Sequence, residues 1–148
     1  MDDDDEPMPR CIQGGHLLLE GEHGGNSGFD PDDVTRLIGL EPSRKRRRGE
    51  LMGADGKPIA AGSSWRIEVP SRDSTHTEAI VRELLDIVEP HAGGMASARR
   101  AFGLSAGIFV YANIYDQLSM PQVQFHTSTL RRLSALDLWF WCMQDYLA

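Results

Sequence analysis

The sequence predicts an α+β domain, with helices packed on one face of a mostly antiparallel or mixed sheet, in the order βαβαββαβ. Three observations predict it. Residues 30–42 carry a complete set of helix start and stop signals, residues 78–89 carry a wide apolar face at helical spacing, and segments at 65–69, 104–115 and 122–126 alternate with the period of a strand.

Taken in order, HLLLEGE at 16–22 is a short apolar first strand, and the glycine-rich stretch 24–28 is a flexible connection. Asp30 is a good N-cap, because its carboxylate can accept from the free amides of the first turn. Pro31 costs nothing at the first helical position, and Asp32 and Asp33 place negative charge at the positive end of the helix dipole. Val34, Leu37 and Ile38 form one apolar stripe; Gly39 supplies a left-handed stop and Pro42 prevents a restart. Residues 41–63 show no sustained period and are expected to form a loop. At more than about 15 residues, that is uncommon in a compact domain unless it serves a purpose. Trp65-Arg66-Ile67-Glu68-Val69 is a half-buried strand closed by Pro70. Thr75 with Glu78 makes a capping box, and the helix behind it carries Ile80, Val81, Leu84, Leu85, Ile87 and Val88 up to Glu89-Pro90. A further short helix is expected at 95–102, after the Gly93-Gly94 break. Leu104–Tyr115 and Gln122–His126, joined by a turn at 116–119, are expected to form an antiparallel hairpin. Thr127 or Ser128 should cap a helix carrying Leu130, Leu133 and Leu136, and Leu138–Met143 is the last strand.

The 148 residues are enough for one domain with a real core, and 41% hydrophobic with 25% charged residues is the composition of an ordinary soluble globular protein. No apolar run approaches the roughly 20 residues that span a bilayer. The acidic start is the opposite of a secretory leader, and Cys11 and Cys142 make no disulfide framework, so a cytoplasmic location is expected. The formal charge of −7 argues against a general nucleic-acid binder. Its distribution is uneven. Asp2 to Glu6 is an unbroken acidic run and Arg44 to Arg48 an unbroken basic one, so residues 1–10 read as a disordered acidic head before a single domain at 11–148.

Phe29-Asp30-Pro31, Leu37-Ile38-Gly39-Leu40-Glu41-Pro42, Arg48-Gly49-Glu50 and Ser64-Trp65-Arg66-Ile67, in that order and spacing, resemble the domain-of-unknown-function family numbered 4279, a bacterial family. The resemblance covers roughly residues 16 to 146. It implies an α+β fold and, by analogy with small domains of toxin–immunity loci, an immunity-type protein that docks on another protein. The family's last strand alternates apolar with acidic residues, whereas this chain has Leu138-Trp139-Phe140-Trp141-Cys142-Met143.

Catalytic groupings fare poorly. Cys11, His16 and His23 fit no paired zinc spacing, and Ser105, His126 and Asp137 lack the elbow that would hold the serine as a nucleophile. The aspartates at 30, 32 and 33 are explained by capping, and no metal or cofactor is implied. Two features carry more weight. Arg44, Lys45, Arg46, Arg47 and Arg48 suit an anionic partner, since arginine bonds phosphate and carboxylate in pairs. Trp139 and Trp141 lie on a strand that is apolar on both sides, so either a helix covers them or they face a partner. The expectation is a non-catalytic protein-binding module that is more plausibly not an enzyme. A binder of an anionic small ligand or nucleic acid through residues 43–49 is the alternative, and a hydrolase the third reading.

Overall fold

A computed structural model of the chain describes residues 10–22, 28–59 and 61–147. The acidic run at 2–6, His23 and most of the glycine-rich connection lie outside the described residues. The elements are β1 (Cys11–Gly21), α1 (Pro31–Ile38), β2 (Arg44–Arg46), β3 (Ser64–Asp73), α2 (Thr77–Val88), α3 (Ala92–Phe102), β4 (Leu104–Ile114), α4 (Thr127–Ala135) and β5 (Trp139–Tyr146), with a 3-10 turn at Glu89–His91 between α2 and α3. The strands form one five-stranded sheet in the order β2-β3-β1-β4-β5. Every neighbour is antiparallel except β4 and β5, which run parallel. The α+β class and the mixed sheet follow as expected.

α1 forms as its signals dictate. The Asp30 side chain accepts from the Asp32 amide at 2.9 Å, and Gly39 ends the helix at φ 77°, a conformation that costs other residues a steric penalty. Trp65 of β3 is fully buried beneath it and donates from Nε1 to Thr35 Oγ1 at 3.0 Å. On β1, the buried Gln13 donates to the Ser74 carbonyl at 2.8 Å and accepts from Thr77 Oγ1 at 2.9 Å. Its amide is thereby satisfied, and the start of α2 is tied to the sheet.

Several expectations are corrected. Residues 122–126 are not a strand, and no 104–126 hairpin forms. Gln122 instead bridges to the start of α2, its amide donating to the Thr75 carbonyl at 2.6 Å. Phe125 packs edge-on against Phe140 at 4.9 Å. The edge of β4 goes to β5, whose Phe140 joins the core, whereas in the other segment Gln122, Val123, Gln124 and His126 are all exposed. A parallel neighbour needs a crossover, and residues 115–138 with α4 supply it. The capping box at Thr75 is also absent: α2 starts at Thr77 with no side-chain cap, and Glu78 instead accepts from the His126 amide and Nδ1 at 2.5 and 2.7 Å. α4 likewise starts after His126, without a hydroxyl cap from Thr127 or Ser128, and Leu130 is exposed. Gly93 and Gly94 lie inside α3 rather than breaking it. A Cβ on Gly94 would come within 2.4 Å of the Leu37 carbonyl oxygen, so this glycine lets α1 and α3 touch. β1 starts five residues earlier than the apolar run suggests, because its glycines hide the alternation. Residues 41–63 are not one long loop; they contain the edge strand β2 and a Met52–Pro58 bridge.

Candidate binding face

Alternation along each strand sends one set of side chains toward the helices and the other away from them. Leu17, Leu19, Trp65, Ile67, Ala106, Ile108 and Val110 join the apolar stripes of the helices in a single core cluster. Leu18, Phe109, Trp139 and Trp141 do not belong to it. They lie on the opposite face, which no described helix covers.

Strand register lines that open face up in transverse rows. One row runs Arg44–Arg66–Leu18–Gly107–Trp139 across all five strands, and the next runs Glu68–His16–Phe109–Trp141. Gly107 matters because a Cβ there would sit 1.8 Å from Trp139 Cδ2. The indole therefore rests on the bare backbone of β4, and Trp139 is half-buried without any helix. Tyr111 lies over Gly14 in the same way. His16 stacks on Phe109 with ring centres 5.2 Å apart, and Phe109 meets Trp141 edge-on at 6.0 Å. Trp141 remains 59% exposed. His16, Leu18, Phe109 and the two indoles line a shallow groove of about 400 Å³. A polar cleft of about 330 Å³ adjoins it, bounded by His16, Arg44, Arg66 and Glu68. Burial first, and the Arg66 charge second, hold the His16 imidazole down to about pKa 4 against the pull of Glu68, so the ring is neutral at neutral pH.

The basic run has a different surrounding. Arg44 Nε meets Glu68 at 3.0 Å. Lys45 Nζ meets Asp32 at 2.7 Å, and Arg47 reaches Asp30 at 3.0 Å, Asp32 at 2.5 Å and Glu50 at 3.7 Å. Hydrogen bonds from Lys45 and then Arg47 hold the Asp32 carboxyl below its usual range, and Asp32 in turn raises Arg47. The acids at the N-terminus of α1 thus clamp that helix to β2. Arg46 Nε donates to the Gly62 carbonyl at 2.9 Å. Among the described residues, only Arg46 and Arg48 of the five lack an acidic partner.

The structure therefore brings Trp139 and Trp141 together with His16, Leu18, Phe109 and, through Arg44, one end of the basic run. His16, Phe109 and Arg66 escape sequence reasoning because the register that aligns them is set by pairing between distant segments. Gly107, a lone glycine inside a strand, is the one local sign of a close approach. The other candidates part company. Cys11 and His16 point to opposite faces of β1, His126 is held by Glu78, and Asp137 meets Arg99 at 3.4 Å. Among the described residues no group of three or more His, Cys, Asp or Glu could hold a metal ion, and no helix is long and apolar enough to cross a membrane.

The sequence model of one family, described as a domain of unknown function (DUF4279), matches residues 16–147, so the chain belongs to that family. No curated protein and no solved structure matches it.

Proposed function

We propose that this DUF4279 protein is a non-catalytic, cytoplasmic protein-binding module that docks a partner on the open face of its sheet, in the manner of an immunity protein that covers another protein's surface. The observation that carries the reading is the aromatic row His16–Phe109–Trp141, half-buried at His16 and Phe109 and exposed at Trp141, beside Arg44 and Arg66. Aromatic and arginine side chains are the residues that concentrate at the energetic centres of interfaces, and a contiguous apolar patch on one face is the usual mark of a docking surface. The groove is shallow and its one histidine is neutral and unpartnered by a nucleophile, which suits recognition better than chemistry. The face fits a partner presenting an apolar ridge with carboxylates on the side that meets Arg44 and Arg66. Two free thiols accord with a reducing compartment.

A second reading has one observation in its favour: Arg46 and Arg48 have no acidic partner among the described residues, which leaves them available to an anionic ligand. One experiment separates the two. Tagged full-length protein, its Trp141→Ser variant and its Arg46→Ser/Arg48→Ser variant are used to capture partners from the native cytoplasm and are titrated with heparin. Loss of a captured protein in the Trp141 variant alone supports docking on the open face. Loss of heparin binding and of capture in the arginine variant alone supports the anionic ligand and contradicts the first reading.

A further inference from the structure

We infer that the free edge of β5 pairs antiparallel with β5 of a second copy, joining two sheets into one. The argument starts from the contrast between the two edges. β2 protects its edge in the usual ways: it has three residues, all cationic, and the adjoining stretch of β3 is blocked where the Glu68 amide donates to Ser43 Oγ at 2.8 Å and where Pro70 has no amide to offer. β5 uses none of these devices. It runs eight residues, Trp139–Tyr146, in unbroken register with β4, and contains no proline, no lysine and a single charge, Asp145. The exposed apolar side chains Trp141, Met143, Tyr146 and Leu147 are gathered along it. A long, apolar edge whose outer amides and carbonyls pair with no strand among the described residues is a template for another strand.

The strand is also complementary to itself. In an antiparallel pair, opposed residues point to the same face, so a two-fold axis normal to the sheet keeps the open faces together only if opposed residue numbers share parity. Centring the pair on Cys142 meets that condition and sets each Trp141 against Met143 of the partner subunit, an apolar contact made twice. Centring on Trp141 would bring Asp145 opposite Asp137 of the partner subunit, and centring on Met143 would set Trp141 against the charge of Asp145. The Cys142-centred register keeps the exposed Trp141 against an apolar neighbour and moves Asp145 opposite Trp139 of the partner subunit, at the end of the paired stretch. It places both aromatic grooves side by side on one surface. The inference stands independently of the partner-docking reading, because it rests on the backbone edge rather than on the groove.

Sedimentation of the full chain at micromolar concentration, with Met143→Lys and Gln144→Lys variants, tests the edge. The two Cys142 thiols would face each other at a spacing of about 4.5–5.5 Å between Cα atoms, within disulfide range, so copper–phenanthroline oxidation tests the register. The expected result is a dimer that both lysine variants, shown folded by circular dichroism, convert to monomer. A covalent dimer should form on oxidation of the wild type and fail to form with Cys142→Ser. A monomer at every concentration overturns the inference, as does a dimer that survives a folded lysine variant. Cross-linking unaffected by Cys142→Ser, or absent from a sedimenting dimer, overturns it too.

Discussion

Trp65 and Trp141 sit on opposite faces of the same sheet and illustrate two uses of one side chain. Trp65 is fully buried under α1, with its indole N–H bonded to Thr35. Trp141 shares a row with His16 and Phe109 and has no helix above it among the described residues. The strand of Trp65 alternates plainly in the sequence, whereas that of Trp141 is apolar on both sides. What separates them is which side of the sheet the helices occupy, and the difference teaches that apolar character alone does not mark a core position. The basic run adds the complementary lesson: charge alone does not mark a free surface, since Arg44, Lys45 and Arg47 are answered by acids of the same chain.

The sharpest break of that comparison is the pair of truncations. Trp65→Ala removes a filled core position and a satisfied hydrogen bond, and is expected to cost about 3–5 kcal/mol of stability. Trp141→Ser is expected to cost at most about 1 kcal/mol. Denaturant melts of the two variants check the ordering, and equal losses would place both indoles in the core. Gly107→Ala comes next. Its Cβ would overlap the Trp139 ring, so the indole must leave the backbone of β4. The expected cost is about 1–3 kcal/mol, with Trp139 emission shifted to the red.

The smallest effect is read through pH. His16 titrates near 4 in the folded chain against an ordinary value of 6.5, so between these values the unfolded chain holds more protons. The stability this group contributes is complete above about pH 6.5 and is lost as pH falls toward about 4. The ring borders an open groove, so solvent screening reduces the effect to about 1–2 kcal/mol. His16→Gln should remove that part of the acid loss, visible as a flatter plot of stability against pH than the wild type gives. Parallel plots would mean that the ring is not held neutral by its surroundings.

Much of the fold is legible in the sequence because its signals are local. The cap, proline, stripe and glycine of α1 lie within about three turns, and the stripe of α2 and the alternation of β3 and β4 need no information from elsewhere. The errors arise where distant segments compete. The alternation at 122–126 is real, yet it does not say which strand takes the edge of β4, and the deciding contact, Phe125 on Phe140, lies beyond any local window. The capping box at Thr75 fails because Glu78 is drawn to His126, 48 residues away. Of the candidate site, the two tryptophans were readable as a strand apolar on both sides. Their companions His16, Phe109 and Arg66 were not, since each joins the row only through register across the sheet.

The central claim is that Trp141 belongs to a surface rather than a core. Iodide quenching of two single-tryptophan chains tests it most directly: one keeps Trp141 (Trp65→Phe, Trp139→Phe) and the other keeps Trp65 (Trp139→Phe, Trp141→Phe), each measured dilute enough to be monomeric. The account predicts that Trp141 emission is readily quenched while Trp65 emission resists the ion. Trp141 emission as protected as that of Trp65 would contradict it.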